Sequence, residues 1–317
     1  MFVNAAFAFA GTELVGLAAA ETANPRKTLP TAVKQVFWRI ALFYLISLTI
    51  VGLLVPYDDP LLLKKTSSAD ANASPFVIAI NNAGISVLPS IMNVVILIAV
   101  LSVGNSSIYG SSRTLAALAD QGQAPKILGY IDRKGRPLVA ILVSSAFGLL
   151  AYLAVLPDNG NAAFNWLLGL SGLSSILTWG SICFAHIRFR HAWKKNGHSL
   201  DELAFRSQPG TIGSWIGFLF NCLILVAQFW VGVWPEYYST YSPSEIATNF
   251  FQAYLAVPIC LILYVGYKVA RRTAIMRSNT MDLVSGRREL DLTAIIAEEK
   301  AERAAWPVWK RWYKVVC

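Results

Sequence analysis

The sequence predicts an all-α transmembrane protein with seven spans, from its composition, the length of its apolar runs and the alternation of charge between them. Of the 317 residues, 55% are hydrophobic and 14% charged, against about 25% charged in soluble domains. The apolar residues gather at 2–20, 36–56, 88–112, 137–156, 163–187, 212–234 and 250–270, each near or above the ~20 residues that cross a bilayer as a helix. Buried helices of soluble proteins seldom repeat at this length with hardly a charge inside. The intervening connections alternate in charge. Arg26, Lys27 and Lys34 follow the first stretch, Lys126, Arg133, Lys134 and Arg136 the third, and Arg188, Arg190, Lys194, Lys195 and Arg206 the fifth. The tail beyond Lys268 is net basic. The other connections carry Asp58, Asp59 and Asp70, then Asp158, then Glu236 and Glu245, with Lys64 and Lys65 as the exceptions. Basic loops stay in the cytoplasm, so the tail 271–317 is expected there, after a membrane domain over 1–270. The net charge of +9 then reports topology. The loops hold no basic patch with interleaved base-stacking aromatics, and a nucleic-acid partner is not expected.

The first stretch carries the most informative residues. It reads Phe7-Ala8-Phe9-Ala10-Gly11-Thr12-Glu13-Leu14-Val15-Gly16, and Glu13 is the one acidic residue deep in any stretch. A carboxylate at the bilayer centre costs about 2.5–3.5 kcal/mol on insertion scales unless neutralised or paired. Gly11 beside it permits backbone angles that break a helix. Broken helices at membrane depth are tolerated where the freed backbone lines a cavity, and transporters bind substrates at such breaks. Glu13 as a cap for a neighbouring helix is the structural alternative. The inferred orientation also places Met1 outside, directly before the apolar residues. No basic flank or cleavage site precedes them, so the chain is expected to be the remainder of a longer protein.

The second stretch has Arg39 near its cytoplasmic end, placed to snorkel. In the following loop, 57–87, Phe76–Ile80 reads as a helix lying on the surface. The third stretch has a polar stripe at helical spacing: Ser102, Asn105, Ser106, Tyr109 and Arg113. A separate short helix, Thr114–Asp120, is expected after it, ending near Gly122 and Pro125. The fifth carries Ser171, Ser174, Ser175, Thr178 and Ser181, with Gly169 and Gly172 beside them. Such residues serve close helix packing or line a pathway, and the sequence leaves both open. Trp38, Trp166, Trp230 and Trp234 fall near stretch ends as interfacial anchors.

In the tail, Leu292–Ala305 reads as a helix stopped by Pro307. The terminal run Trp306, Trp309, Trp312 and Tyr313 with Lys310, Arg311 and Lys314 suits the headgroup layer. Cys317 after it is a candidate for lipid modification, with an inert thiol as the alternative. Cys183, Cys222 and Cys260 lie within stretches, and no Cys or His pair has metal-ligand spacing, so neither metal nor cofactor is expected. The Asn105-Ser106-Ser107 sequon is inside a stretch, and Asn72-Ala73-Ser74 is followed by Pro75. No nucleophile–base pair supports an enzyme.

The stretch Gly11-Thr12-Glu13-Leu14-Val15-Gly16, then Glu21, Asn24-Pro25-Arg26-Lys27 and Pro30, resembles the sixth helix and following loop of amino-acid permeases of the amino acid–polyamine–organocation superfamily. The similarity is to the fungal amino-acid transporters and the lysine-specific permeases. Further matches run in order: Gly52-Leu53-Leu54-Val55-Pro56-Tyr57, Ser74-Pro75-Phe76, Asn105-Ser106 with Tyr109 and Arg113, His186-Ile187-Arg188-Phe189-Arg190 and Asp201-Glu202-Leu203.

The resemblance implies a twelve-helix, inverted-repeat transporter with helices one and six broken. The seven stretches here are equivalent to helices six to twelve. It implies that Ala10, Gly11 and Thr12 face the substrate's α-amino and α-carboxyl groups and that Phe9 is a gating aromatic. It also implies that Glu13 pairs with a cationic substrate or takes part in proton coupling, and that Ser171 borders the side-chain pocket. Expected partners are an amino acid, protons, the plasma-membrane bilayer and the missing N-terminal helices. Glu13 and Ser171 favour a basic substrate, although permeases for neutral amino acids keep the same Glu. The implied function is proton-coupled amino-acid uptake by alternating access, incomplete without helices one to five. A non-transporting sensor or assembly partner is the rival.

Overall fold

The computed structural model describes residues 2–18, 22, 25–60, 74–155, 160–203, 206–235, 241–283, 285, 301 and 305–307. Among them the regular structure is helical throughout, with no strand. The α-helices are α1 (Phe2–Ala6), α2 (Leu14–Leu17), α3 (Pro25–Leu54), α4 (Pro75–Asn82), α5 (Leu88–Asp120), α6 (Leu138–Gly148), α7 (Gly160–Lys195), α8 (Gly210–Val233), α9 (Pro243–Tyr254) and α10 (Ala256–Arg271). Four of these are long and apolar enough to cross a membrane, within Thr28–Leu54, Leu88–Asp120, Ala162–Lys195 and Gly210–Val233.

The other three apolar stretches take different forms. The first is two short helices separated by turns over Phe7–Glu13. The fourth is α6 continued by a 3-10 helix, Leu149–Val155. Its 11 α-helical residues and 7 3-10 residues rise about 1.5 and 2.0 Å each. Laid end to end these amount to about 30 Å, and Leu138–Ala154 remains a shorter apolar helix than the four long enough to cross a membrane.

The seventh is corrected in extent and shape. Helix begins at Pro243 rather than near 250, and α9 and α10 meet at a bend of 61°. Ser242 starts α9 with a reciprocal cap: its hydroxyl accepts the Glu245 N–H while the Glu245 carboxylate accepts the Ser242 N–H. Such a box satisfies two N–H groups that a helix start leaves open. The bend follows from Pro258, which offers no N–H and crowds the carbonyl four residues back, that of Tyr254. The expected helix Thr114–Asp120 also takes another form. It is no separate helix but the last two turns of α5, whose 33 residues extend about 50 Å. Gly122, at φ 70°, ends that run.

The chain divides into two compact units. The first comprises residues 1–10, 23–34 and 165–317. Its core joins Val3, Leu173 and Ala256, flanked by Leu170, Leu177, Leu225, Tyr254 and Val257. Beside it Ala6, Ile176 and Ile224 pack with Trp179. Phe229, Phe250 and Tyr254 lock α8 to α9 through ring contacts at 5.6 Å. At the end of α7 the indole of Trp193, 1% exposed, donates to the Ser199 carbonyl at 2.8 Å and stacks on His198. His198 Nδ1 lies 2.9 Å from Glu202. The carbonyls of Met276 and Ser278 accept from Arg188 and Asn196.

The second unit comprises residues 11–22 and 35–164. Here α4 is not merely surface-lying: Val77 and Ile78 are buried, and the helix packs on α5. Ser111 of α5 donates to Ser144 of α6 at 3.0 Å. Between these helices Asp132 organises a tight loop, accepting from the backbone N–H of Lys134 and Arg136 and from the Arg136 guanidinium at 2.6 Å. Those bonds hold the Asp132 carboxyl below its usual pKa, the Arg136 side chain contributing most. The expected tail helix lies outside the described residues except for Ala301 and Ala305, and Cys317 lies outside them altogether.

Candidate functional site

The break in the first segment is the candidate site. After Ala6 the chain makes successive turns, with Ala8, Phe9 and Ala10 N–H donating to the carbonyls of Ala5, Ala6 and Phe7 at 3.0–3.3 Å. Gly11 then takes φ +88°, a conformation that costs a residue with a side chain much more than it costs glycine. Helix resumes through Leu14 N–H to Gly11 carbonyl at 3.0 Å and Gly16 N–H to Glu13 carbonyl at 3.0 Å. This geometry releases backbone groups in a definite order. Among the described residues, nothing donates to the carbonyls of Ala8, Phe9 and Ala10, and nothing accepts the N–H of Gly11 and Thr12. Acceptors therefore precede donors along one short run. Phe9 and Ala10 are exposed, whereas Gly11, Thr12 and Glu13 are half-buried.

The two arms of the break belong to different units. Residues up to Ala10 fall in the first and residues from Gly11 in the second. Within the first unit, α1 lies against α7 and α8. A Cβ built on Gly172 would come within 2.5 Å of Val3 Cγ1 and 3.0 Å of Phe7 Cε2. Ser171 is next to this contact and is exposed. Within the second unit, Leu14 meets α5, and a Cβ on Gly110 would lie 2.5 Å from Leu14 Cδ2. Glu13 and Ser171 thus stand in separate units, while Ser171 shares its unit with Phe9 and Ala10.

On α7 the serine stripe and the glycines occupy opposite faces. Gly172, Leu173, Ile176 and Gly180 are buried. Ser171, Thr178 and Ser181 are exposed, with Ser174 and Ser175 half-buried between them. Hydroxyls bond back to carbonyls of the same helix: Ser174 and Ser175 to Ser171, Thr178 to Ser174, and Ser181 to Thr178, at 2.7–3.2 Å. Close helix packing is therefore carried by the glycine face, and the hydroxyl face is turned away from the unit's core.

On α5, Ser102, Asn105 and Ser106 are exposed. Lower down, the Arg113 guanidinium lies 4.1 Å from the centre of the Tyr109 ring, a cation–π distance. The polar link between α7 and α8, His186 Nδ1 to Ser214 Oγ at 2.7 Å, has no signature in the sequence pattern, and no local pattern sets Gly110 apart. Among the described residues no group of His, Cys, Asp and Glu gathers where a metal ion could sit.

The amino acid permease family model matches residues 1–279. General amino-acid permease GAP2 of Candida albicans is 58% identical over 322 aligned positions, covering 100% of this chain and 54% of that protein. General amino-acid permease GAP1 of Saccharomyces cerevisiae is 53% identical, covering 100% of this chain and 52% of that protein. Amino-acid permease inda1 of Hypocrea atroviridis is 47% identical, covering 98% and 54%. The chain thus spans about half the length of the curated relatives it matches. No solved structure matches it. These relatives are permeases rather than enzymes, and the long apolar helices make this an integral membrane protein. The match across most of its length establishes that the chain belongs to the amino acid permease family.

Proposed function

We propose that these residues form the C-terminal part of an amino-acid transporter, equivalent to helices six to twelve of a twelve-helix inverted-repeat fold. The break at Phe7–Glu13 is its half of the substrate site. The observation that carries the reading is the order of freed backbone groups. The carbonyls of Ala8, Phe9 and Ala10 are suited to an ammonium group, and the N–H groups of Gly11 and Thr12 to a carboxylate. Any amino acid offers this pair one carbon apart. Each such backbone group costs several kcal/mol if left unsatisfied in hydrocarbon, so a polar occupant or water is required there. Phe9, exposed beside the run, would gate access, and Ser171 on the hydroxyl face of α7 would border the side-chain pocket. Glu13 would face a cationic side chain or take up the coupled proton. Uptake would proceed by alternating access at the plasma membrane, with the tail cytosolic and the second broken helix supplied by residues equivalent to helices one to five.

The test is uptake of labelled amino acids in cells lacking their own permeases. The chain is expressed alone and together with the N-terminal half of a fungal relative. Saturable, gradient-driven accumulation only in the paired expression is the expected result. Glu13→Gln should then alter its rate, pH dependence or preference for cationic substrates. Binding without accumulation in the paired expression would instead favour a sensor. Absence of both would remove the reading.

A further inference from the structure

The geometry points to Gly172 and Gly110 as positioning residues that fix the two arms of the break, each by receiving one aliphatic side chain from its own arm. This rests on the reading of the break as a substrate site and names what holds its backbone groups in place. In the first unit, the five-residue α1 is too short to hold itself as a helix. Its position is set by what it touches. Val3, 5% exposed, enters the core with Leu173 and Ala256, and its Cγ1 occupies space that a Cβ on residue 172 would need, 2.5 Å away. Phe7, the first residue beyond α1, crowds the same point at 3.0 Å. The chain then runs directly into Phe9 and Ala10. In the second unit, the four-residue α2 is likewise too short to stand alone. Leu14 enters the space above Gly110, with Cδ2 at 2.5 Å and Cδ1 at 3.4 Å from a Cβ built there. Leu14 follows Gly11, Thr12 and Glu13.

The two seats differ in stiffness. Val3 is β-branched, buried and held by neighbours, so an added methyl on residue 172 must move the arm itself. The Leu14 contact is made by the end of a longer, half-buried side chain, which can turn aside. Gly172→Ala is therefore expected to act more strongly than Gly110→Ala. Displacing a binding constellation by about 1 Å costs up to about a hundredfold, and partial yielding of the seat brings the expectation to about a tenfold rise in KM.

The experiment is a crossed rescue. Gly172→Ala and Gly110→Ala are each combined with Val3→Ala and with Leu14→Ala, and melting of the purified chain is measured in lipid nanodiscs. KM and membrane amount are measured in the uptake assay above. Gly172→Ala should raise KM about tenfold at unchanged membrane amount, Val3→Ala should restore most of it, with Phe7 still 3.0 Å from the added Cβ, and Leu14→Ala should not. Gly110→Ala should show a smaller rise, restored by Leu14→Ala only. Unchanged KM in both glycine variants, or equal rescue by matched and crossed partners, would overturn the assignment. If the wild type carries no amino acid, the transport reading fails, and the melting temperatures still decide the seats by the same matched and crossed pattern.

Discussion

Helices α5 and α7 look alike in sequence: both are long, apolar and marked by one polar stripe at helical spacing. In the fold they differ. Along α7 a continuous face of Gly172, Leu173, Ile176 and Gly180 is buried, and the hydroxyls lie opposite. Along α5 burial is confined to Gly110, Ser112 and Ala119, while Ile91 to Val103 are largely exposed. A helical wheel shows which residues share a face; it does not show which face is covered. The glycines do. Gly169 and Gly172 have neighbours where a Cβ would stand, whereas Gly104 of α5 has none within 4 Å.

That contrast can be broken by substitution. The largest effect should come from Ile176→Ala, 2% exposed in α7, with a loss of about 2–5 kcal/mol of stability. Ile98→Ala, 61% exposed in α5, should cost under about 0.5 kcal/mol. Chemical unfolding in mixed micelles would compare them, and equal losses would mean that α5 is as buried as α7. Next comes Gly169→Ala. Its Cβ would stand 2.3 Å from the Gln252 carbonyl oxygen, and a backbone atom cannot swing aside as a side chain can. About 1–3 kcal/mol should be lost, against a change within about 1 kcal/mol for Gly104→Ala, read from the same unfolding curves.

Smaller effects should follow from the hydroxyls. Thr178→Val removes a bond confined to its own helix and should leave stability within about 0.5 kcal/mol. Ser111→Ala also severs the link to Ser144 and should cost about 1 kcal/mol. The smallest concerns the Asp132 loop. Its carboxyl has a lowered pKa in the fold, so its contribution is full above the ordinary carboxylate range and declines as pH falls through the lowered value. Protease nicking near Lys134 should rise on acidification in the wild type, and Asp132→Asn should be nicked at neutral pH. A wild-type rate independent of pH would refute the clasp.

Much of this was legible where one residue dominates. Gly11 marks the break because few other residues accept its φ. The expected stretch at 212–234 matches α8 closely because it holds neither proline nor charge. Other features were hidden. The helix ends at Ala6, yet Phe7, Ala8, Phe9 and Ala10 are not helix breakers, so the full width of the break has no local signature. A separate helix was expected over Thr114–Asp120, but a helix continues past a charged residue as long as its backbone bonds are met. Pro258 did carry the signal for the bend at Leu255, which an apolar count passes over. The two glycine seats needed the fold, because each depends on a side chain far away in sequence.

The 3-10 turn after α6 has a consequence for where such a segment fits. Seven residues wound as 3-10 rather than α-helix gain about 0.5 Å each, about 3.5 Å in all. Secretory-pathway and surface bilayers differ by a few ångströms in hydrocarbon thickness. The winding seen here lengthens the segment by about the difference between two such bilayers without adding a residue.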